Sequence, residues 1–300
     1  MQFVATVVIT TKDRQADLKV AISSALGQTA PIEVLVLDDG SSDGTWDMVR
    51  REFPAVRIER SDRSLGYVVQ RNRGALLASA PIIVSIDDDA AFSTATTIEA
   101  ALKAFRNPHI GAVAIPYVDI RRGYTIKQAP PSCIGQYVVN SYVGTAHAVR
   151  RDLFLRLGGY RGFLFHQGEE SDFCIRLLDA GYFVGLVKAD PIYHFESPNR
   201  NVERMDVFGR RNDVLFAWYN VPLVDLPLHL LGTTMKGVWF GLWQGRLTPM
   251  LRGIWQGYRD IGRQLTKRQP VRRDTYRLSR KLKKRGPLLE KELVPLSRIQ

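Results

Sequence analysis

Residues 84–90 read VSIDDDA, three carboxylates in succession at the end of an apolar run. Adjacent like charges repel, so Asp87, Asp88 and Asp89 need a compensating partner. A hard divalent cation such as Mn2+ or Mg2+ suits oxygen ligands of this kind. On an extended chain successive side chains alternate, which turns Asp87 and Asp89 toward one ligand and Asp88 away. A helix cap or solvated turn accounts for one or two such acids, and less readily for three. A second cluster, Glu169-Glu170-Ser171-Asp172, opens a helical segment. One of its carboxylates projecting into a cleft would be a general base. Acids in a first helical turn also simply suit the helix dipole, and Asp172 with Arg176 can pair at i, i+4. His194, in PIYHFES, is either a ligand or a structural histidine.

The elements that must position these residues are legible as period and punctuation. FVATVVIT (3–10), IEVLVLDD (32–39), VRIERS (56–61) and PIIVSIDDD (81–89) read as strands. Between the first two lies a helix with Leu18, Ile22, Ala25 and Leu26 on one face. Ser41, Ser42 or Asp43 can cap a second helix carrying Trp46, Val49 and Phe53, and 70–80 forms a third. Such alternation implies parallel strands covered by helices on both faces, with ligands beyond the strands' carboxyl ends. TTKDR (10–14), DDGSSDG (38–44) and DDD (87–89) would meet there. Farther on, 110–120 is strand-like, 123–136 is a Pro/Gly-bearing loop, and 137–160 reads as a strand then a helix. Segment 168–182 is a helix burying Phe173, Cys174, Leu177 and Leu178 and closed by Gly181. The expected division is an α/β domain over 1–210 and a helical, amphipathic, basic region over 211–300.

Composition narrows the classes. The 300 residues are 45% hydrophobic and 24% charged, as in a folded globular chain. Cys133 and Cys174 fit neither CxxC nor a zinc pattern; reduced cytosolic thiols are expected, with a disulfide still open to them. The opening residues lack the basic lead and apolar length of a signal peptide. Segment 214–245 is the most apolar, but Pro222, Asp225, Pro227 and Lys236 break it, so no spanning helix is expected. Residues 246–300 carry 16 Lys and Arg against 4 Asp and Glu, which accounts for the whole net charge of +12. That tail reads as a solubilising helix or as attraction to an anionic membrane surface, helped by the Trp- and Leu-rich stretch before it. Nucleic acid is not expected, for want of any recognition motif. Neither GxGxxG nor GxxxxGK[ST] occurs, which argues against nicotinamide and P-loop chemistry. DDGSSDGT lacks the spacing and final Glu of a calcium loop.

The ordered set VVITTKDR, VLVLDDGSSDGT, NRGALLASAP, VSIDDD, GGYRGFLFHQGEESDFCIRLLDAGY and YHFES resembles the family-2 glycosyltransferases. Its look is that of bacterial rhamnosyltransferase-like members, which build surface polysaccharides. The resemblance covers roughly residues 4–200 and implies the GT-A fold, a Rossmann-like mixed and mostly parallel sheet flanked by helices. It implies that Thr10, Thr11, Arg14, Asp38 and Asp39 hold the base and ribose of a nucleotide, and that Arg71, or Arg73 beside Asn72, approaches its phosphates. Asp87-Asp88-Asp89 matches the DxD motif: Asp89 would coordinate Mn2+ or Mg2+, Asp87 would face ribose or metal, and Asp88 falls with the nucleotide contacts. His194 stands where several members place a histidine near the metal. Many relatives carry Glu-Asp-x-Asp, with the first Asp as base; here Glu170 occupies that position, one methylene longer, and Glu169 and Asp172 remain alternatives.

The implied reaction is metal-dependent transfer, with inversion, from a UDP-, dTDP- or GDP-linked sugar to a saccharide or lipid-linked hydroxyl. The expected location is cytoplasmic, peripheral to the inner membrane face. A polyprenyl-phosphate sugar synthase is the near alternative. A non-catalytic lipid- or nucleic-acid-binding protein on the same fold is the distant one.

Overall fold

The computed structural model describes residues 2–195, 201–263 and 268–293. β1 (Ala5–Thr11) is buried along its whole length, as a run of β-branched residues between two layers should be. It pairs in parallel with β2 (Ile32–Asp38) and β4 (Ile82–Asp87), placing Thr11 opposite Asp38 and Thr10 opposite Asp87. That register brings three polar strand ends to one edge. Alternation then sorts the side chains: Val7, Ile9, Val36 and Val84 pack against α1 (Gln15–Leu26), while Val8, Leu35, Leu37 and Ile83 face α3 (Tyr67–Leu77). Gly74 lets α3 lie close, since a Cβ there would sit 2.5 Å from Val8. On α1 the buried stripe is Leu18, Ala21, Ile22 and Ala25; the expected Leu26 is exposed instead.

α2 (Thr45–Glu52) begins after Gly44, and Asp43 accepts from the Thr45 N–H at 3.0 Å. Ser41 and Ser42 bond to Asp13 rather than to the helix. β3 (Arg57–Arg60) completes the parallel half. The strand expected through residue 89 stops at Asp87, and Asp88-Asp89 turn into β5 (Ala90–Phe92). After α4 (Thr97–Lys103), the expected single strand over 110–120 is two, β6 (Ile110–Ala114) and β7 (Tyr117–Asp119), interrupted at Pro116, which has no N–H for a ladder. Segment 137–160 also holds two strands, β8 (Tyr137–Val139) and β9 (His147–Arg150), before α5 (Arg151–Arg156). β9 inserts between β4 and β6, antiparallel to both, and makes the sheet mixed. With α6 (Glu169–Asp179), β10 (Phe183–Leu186), β11 (Ile192–His194) and, from the chain's far end, β12 (Leu288–Leu289), the large sheet runs β12-β8-β10-β6-β9-β4-β1-β2-β3 and a small one β5-β11-β7.

The C-terminal part contains α7 (Val202–Asn220), α8 (Leu226–Trp243), α9 (Leu247–Arg263) and α10 (Arg273–Arg285). Gly253 and Gly257 bring α9 against α7; a Cβ at 253 would lie 2.4 Å from the Val207 carbonyl. The expected boundary between 210 and 211 falls inside α7, one continuous helix. The region is not wholly helical either: β12 (Leu288–Leu289) returns to pair with β8 at the edge of the large sheet. No described helix is long and apolar enough to cross a membrane.

Candidate active site

The gathered strand ends form one wall of an open cleft of about 690 Å³. Asp88 points inward, accepting from Thr11 Oγ1 (2.8 Å) and Arg14 Nη1 (3.3 Å). Arg14 also donates to Asp89 Oδ2 at 2.8 Å, so one guanidinium closes the turn across both acids. Burial, with Asp89 and Asp87 nearby, pushes Asp88 up to about 7 against the pull of Arg14 and Thr11. Asp89 goes the other way: burial opposes its charge, but His194 and Arg14 hold it well below the carboxylate range.

Atoms of Asp87, Asp89 and His194 that can serve as metal ligands lie within 4.8 Å of one another. Pairing of β11 with β5 and β7 sets His194 opposite Ala90 and Asp119. Its Nδ1 meets Asp119 Oδ1 at 2.7 Å and its Nε2 lies 3.4 Å from Asp89 Oδ1. Lys127 in turn binds Asp119. Such a carboxylate fixes the ring and presents Nε2 to the cleft. Burial alone would lower His194, yet Asp89, Asp119 and Asp87 outweigh it and raise it to about 9; the field there favours positive charge.

The opposite wall is the start of α6. Glu169 is fully buried, and Arg71 Nη1 lies 3.4 Å from its Oε1 while Nη2 donates to Asp87 Oδ1 at 2.6 Å. Arg71 thus ties the strand-edge acids to the helix acids, stacked over Tyr67 at 4.9 Å. Burial works against its charge, and Asp87 and Glu169 overturn that effect. Glu170 is half-buried at the cleft, and Gly144 makes room for it: a Cβ at 144 would sit 2.7 Å from Glu170 Oε1 and 2.6 Å from Arg71 Nη1. Burial and then Glu169 raise the pKa of Glu170, against Arg71. Burial likewise raises Glu169.

Several expected site residues sit elsewhere. Asp172 is buried away from the cleft, bound to Arg161, to Arg176 Nη2 (2.9 Å) and to Asn220 Nδ2 (2.8 Å). That removes it as a base; two residues from Glu170 is 200° around a helix. The Asp172–Arg176 pair expected at i, i+4 does form, and it is largely buried. Asp38 is fully buried and accepts from the Ser41 N–H at 2.8 Å, fixing the turn rather than reaching a ligand. Arg73 bonds Ser61 Oγ at 2.9 Å, outside the cleft. Asp39 reaches the cleft wall, but Ser64, Leu65, Gly66 and Gln70 fill its four acceptor positions at 2.6–3.0 Å. Burial would raise it; these four donors lower it, and it holds the 64–66 rim. Thr10, Thr11, Arg14, Arg71, Asp87, Asp88, Asp89, Glu169, Glu170 and His194 do line the cleft. Glu196 and Ser197 of YHFES lie outside the described residues.

Tyr67, Gly144, Asp119 and Lys127 were not anticipated. Asp119 carried a usable signal, an acid closing an apolar strand as at Asp38 and Asp87. Also unforeseen is the cleft-lining loop before α6, where Phe165 and Gln167 both adopt positive φ (57° and 67°). Asn212 Nδ2 of α7 holds this strained turn through the carbonyls of Leu164, His166 and Gln167 at 2.7–2.9 Å.

A mixed sheet whose carboxyl edge presents spaced carboxylates to an open cleft, faced by acids from a helix beyond it, is the GT-A architecture. Solved structures agree. The chain superposes on S. aureus TarS 1-349 with TM-score 0.61 at 13% identity, covering 95% of this chain and 92% of that one. It superposes on the mannosyltransferase PcManGT from Pyrobaculum calidifontis, solved with GDP-Man and Mn2+, with TM-score 0.60 at 18% identity over 85% and 87%. Residues 6–165 match Glycosyl transferase family 2, and the chain belongs to that family. Among curated relatives, a glucosyl-dolichyl phosphate glucuronosyltransferase of Haloferax volcanii is 26% identical over 190 residues, 56% of this chain and 60% of that one. A validoxylamine A glucosyltransferase of Streptomyces hygroscopicus subsp. jinggangensis is 42% identical over 87 residues, 27% of this chain and 21% of that protein. The chain therefore spans less than two thirds of the first relative and about a fifth of the second.

Proposed function

We propose that the protein transfers a sugar, with inversion and in a metal-dependent manner, from a nucleoside-diphosphate sugar to a hydroxyl acceptor. One observation carries this reading: the Asp87–Asp89–His194 cluster and Glu170 open on one cleft, where Arg71 ties Asp87 to Glu169, the neighbour of Glu170. Two carboxylates and an imidazole presented through Nε2 suit Mn2+ or Mg2+. Such a cation would offset charge developing on the diphosphate leaving group. Arg14 and Arg71 hold the surrounding acids in place, and Arg14 with His194 keeps Asp89 ionised. Glu170 takes the proton of the acceptor hydroxyl, leaving the oxygen to attack the anomeric carbon opposite the departing diphosphate. A single displacement of this kind inverts the configuration, and no covalent sugar–enzyme intermediate is required. Glu169, fully buried against Arg71, has less access to an acceptor. The donor complexes of the structural neighbours, GDP-Man in one and UDP-GlcNAc in another, support a nucleotide-sugar donor while leaving its base open.

Melting curves with UDP, dTDP and GDP, each with Mn2+ and with EDTA, test the reading. A ligand at about 100 times its Kd stabilises by about 2.7 kcal/mol, a shift of several degrees. One nucleotide shifting the transition only with metal is the expected result, and no shift from any of the three overturns it. A lipid-linked acceptor, a polyprenyl phosphate among them, is the second reading; the haloarchaeal relative is named for a sugar carried on dolichyl phosphate. Assays offering a free saccharide and a polyprenyl phosphate side by side separate the two.

A further inference from the structure

Twelve of the 25 large hydrophobic side chains exposed among the described residues fall between Leu223 and Tyr258. On α8, Leu228, Leu231, Met235, Trp239 and Leu242 recur at three- and four-residue steps, a single stripe. Leu228 is 77% exposed and Trp239 74%. The buried residues of this helix are Leu226, Gly237 and Gly241, the glycines packed against Ile254 and Leu247. An ordinary surface helix turns its large apolar face inward. α8 turns its small residues inward and its large ones out. From α9, Leu251, Trp255 and Tyr258 extend the same exposed class, and three of the chain's five tryptophans lie here.

The flank is cationic. α10 exposes seven Arg and Lys side chains between Arg273 and Arg285. It runs beside the start of α8, where Tyr276 Oη meets His229 Nδ1 at 2.8 Å and Arg273 pairs with Asp225 at 2.9 Å. Lys236 adds an exposed charge on α8 itself.

We propose that the α8–α9 face is a docking surface for an anionic lipid bilayer, with α8 lying in the plane of the interface. An apolar face with tryptophans and a basic flank is the arrangement that binds at that boundary. Each Lys or Arg near an anionic surface strengthens the attraction. A second copy is the poorer occupant, because pairing two such faces would bring like-charged α10 flanks toward one another. The inference does not depend on the reaction proposed above, and its test reads binding rather than turnover.

The experiment is flotation of the full chain with vesicles of phosphatidylcholine alone and of phosphatidylcholine with phosphatidylglycerol, at low and high salt. The expected result is flotation with the anionic vesicles, weakened by salt. Trp239→Ser with Trp243→Ser should reduce partitioning about tenfold or more. Lys281→Glu with Lys283→Glu and Lys284→Glu should abolish the preference for anionic lipid. Both variants change exposed positions, and unaltered melting temperatures verify their fold. Quenching of tryptophan fluorescence by brominated lipid gives an independent readout. Failure of the parent protein to float overturns the proposal, as does equal flotation of parent and tryptophan variant. A dimer in light scattering that the tryptophan changes dissolve, without vesicle binding, assigns the face to a second copy and overturns it equally.

Discussion

The two acidic clusters facing the cleft are built from the same chemistry and end in opposite states. Each has three carboxylates, and each commits one to structure: Asp88 to Thr11 and Arg14, Asp172 to Arg161, Arg176 and Asn220. At the strand edge, Arg14 and His194 crowd around Asp89 and keep it ionised. At the helix start, Arg71 is shared between Glu169 and Asp87, and burial of two neighbouring glutamates leaves both inclined to keep a proton. Environment, not residue type, separates Asp89 from Glu170: on the reading proposed above, one holds positive charge and the other exchanges a proton.

Removing the charge on the strand side should have the largest effect. Asp89→Asn is expected to lower kcat/KM by about 10³-fold or more, since the leaving group loses its charge stabilisation. Metal titration of donor binding should show the defect with an unchanged circular-dichroism spectrum. Glu170→Gln comes next, with kcat lowered by about 10²–10⁴-fold and donor affinity preserved. Equal loss of donor affinity would erase the distinction between the walls. Asp172→Ala should behave differently from either, destabilising the fold by about 3–5 kcal/mol because Arg161 and Arg176 lose their partner. A denaturant melt measures that. The smallest effect is the pH profile. A base acts when deprotonated, and Glu170 holds its proton up to about pH 8, so kcat should rise with pH toward that value. Replacing Glu170 by Asp should move this limb, whereas Asp172→Ala should leave it in place.

The parallel half of the sheet and the meeting of its strand ends followed from apolar runs closed by acids, because period and punctuation are local properties. The spacing of Asp87 and Asp89 was legible too, though by the wrong route. Asp89 reaches the cluster through a turn, not along an extended strand. His194 stood open between ligand and structural histidine until the family resemblance favoured a ligand, since its position depends on β11 entering between β5 and β7. Lys127 and Gly144 were hidden for the same reason: loops distant in sequence carry Gly144 to the cleft and Lys127 to Asp119. Asp172 could have been excluded earlier, because helical geometry turns it away from Glu170. The Trp- and Leu-rich stretch pointed to a membrane surface, but which side of α8 faces outward depended on Gly237 and Gly241 packing against α9.

β12 pairs Leu288 and Leu289 with Val138 and Tyr137, about 150 positions earlier in the chain. During synthesis, β8 therefore keeps an unpaired backbone edge until α7, α8, α9 and α10 have been made. An open edge is a template for pairing with the wrong chain. The order of translation thus makes the docking of residues 288–289 a late folding step, and sets an interval in which a nascent chain needs protection from its neighbours on the same message.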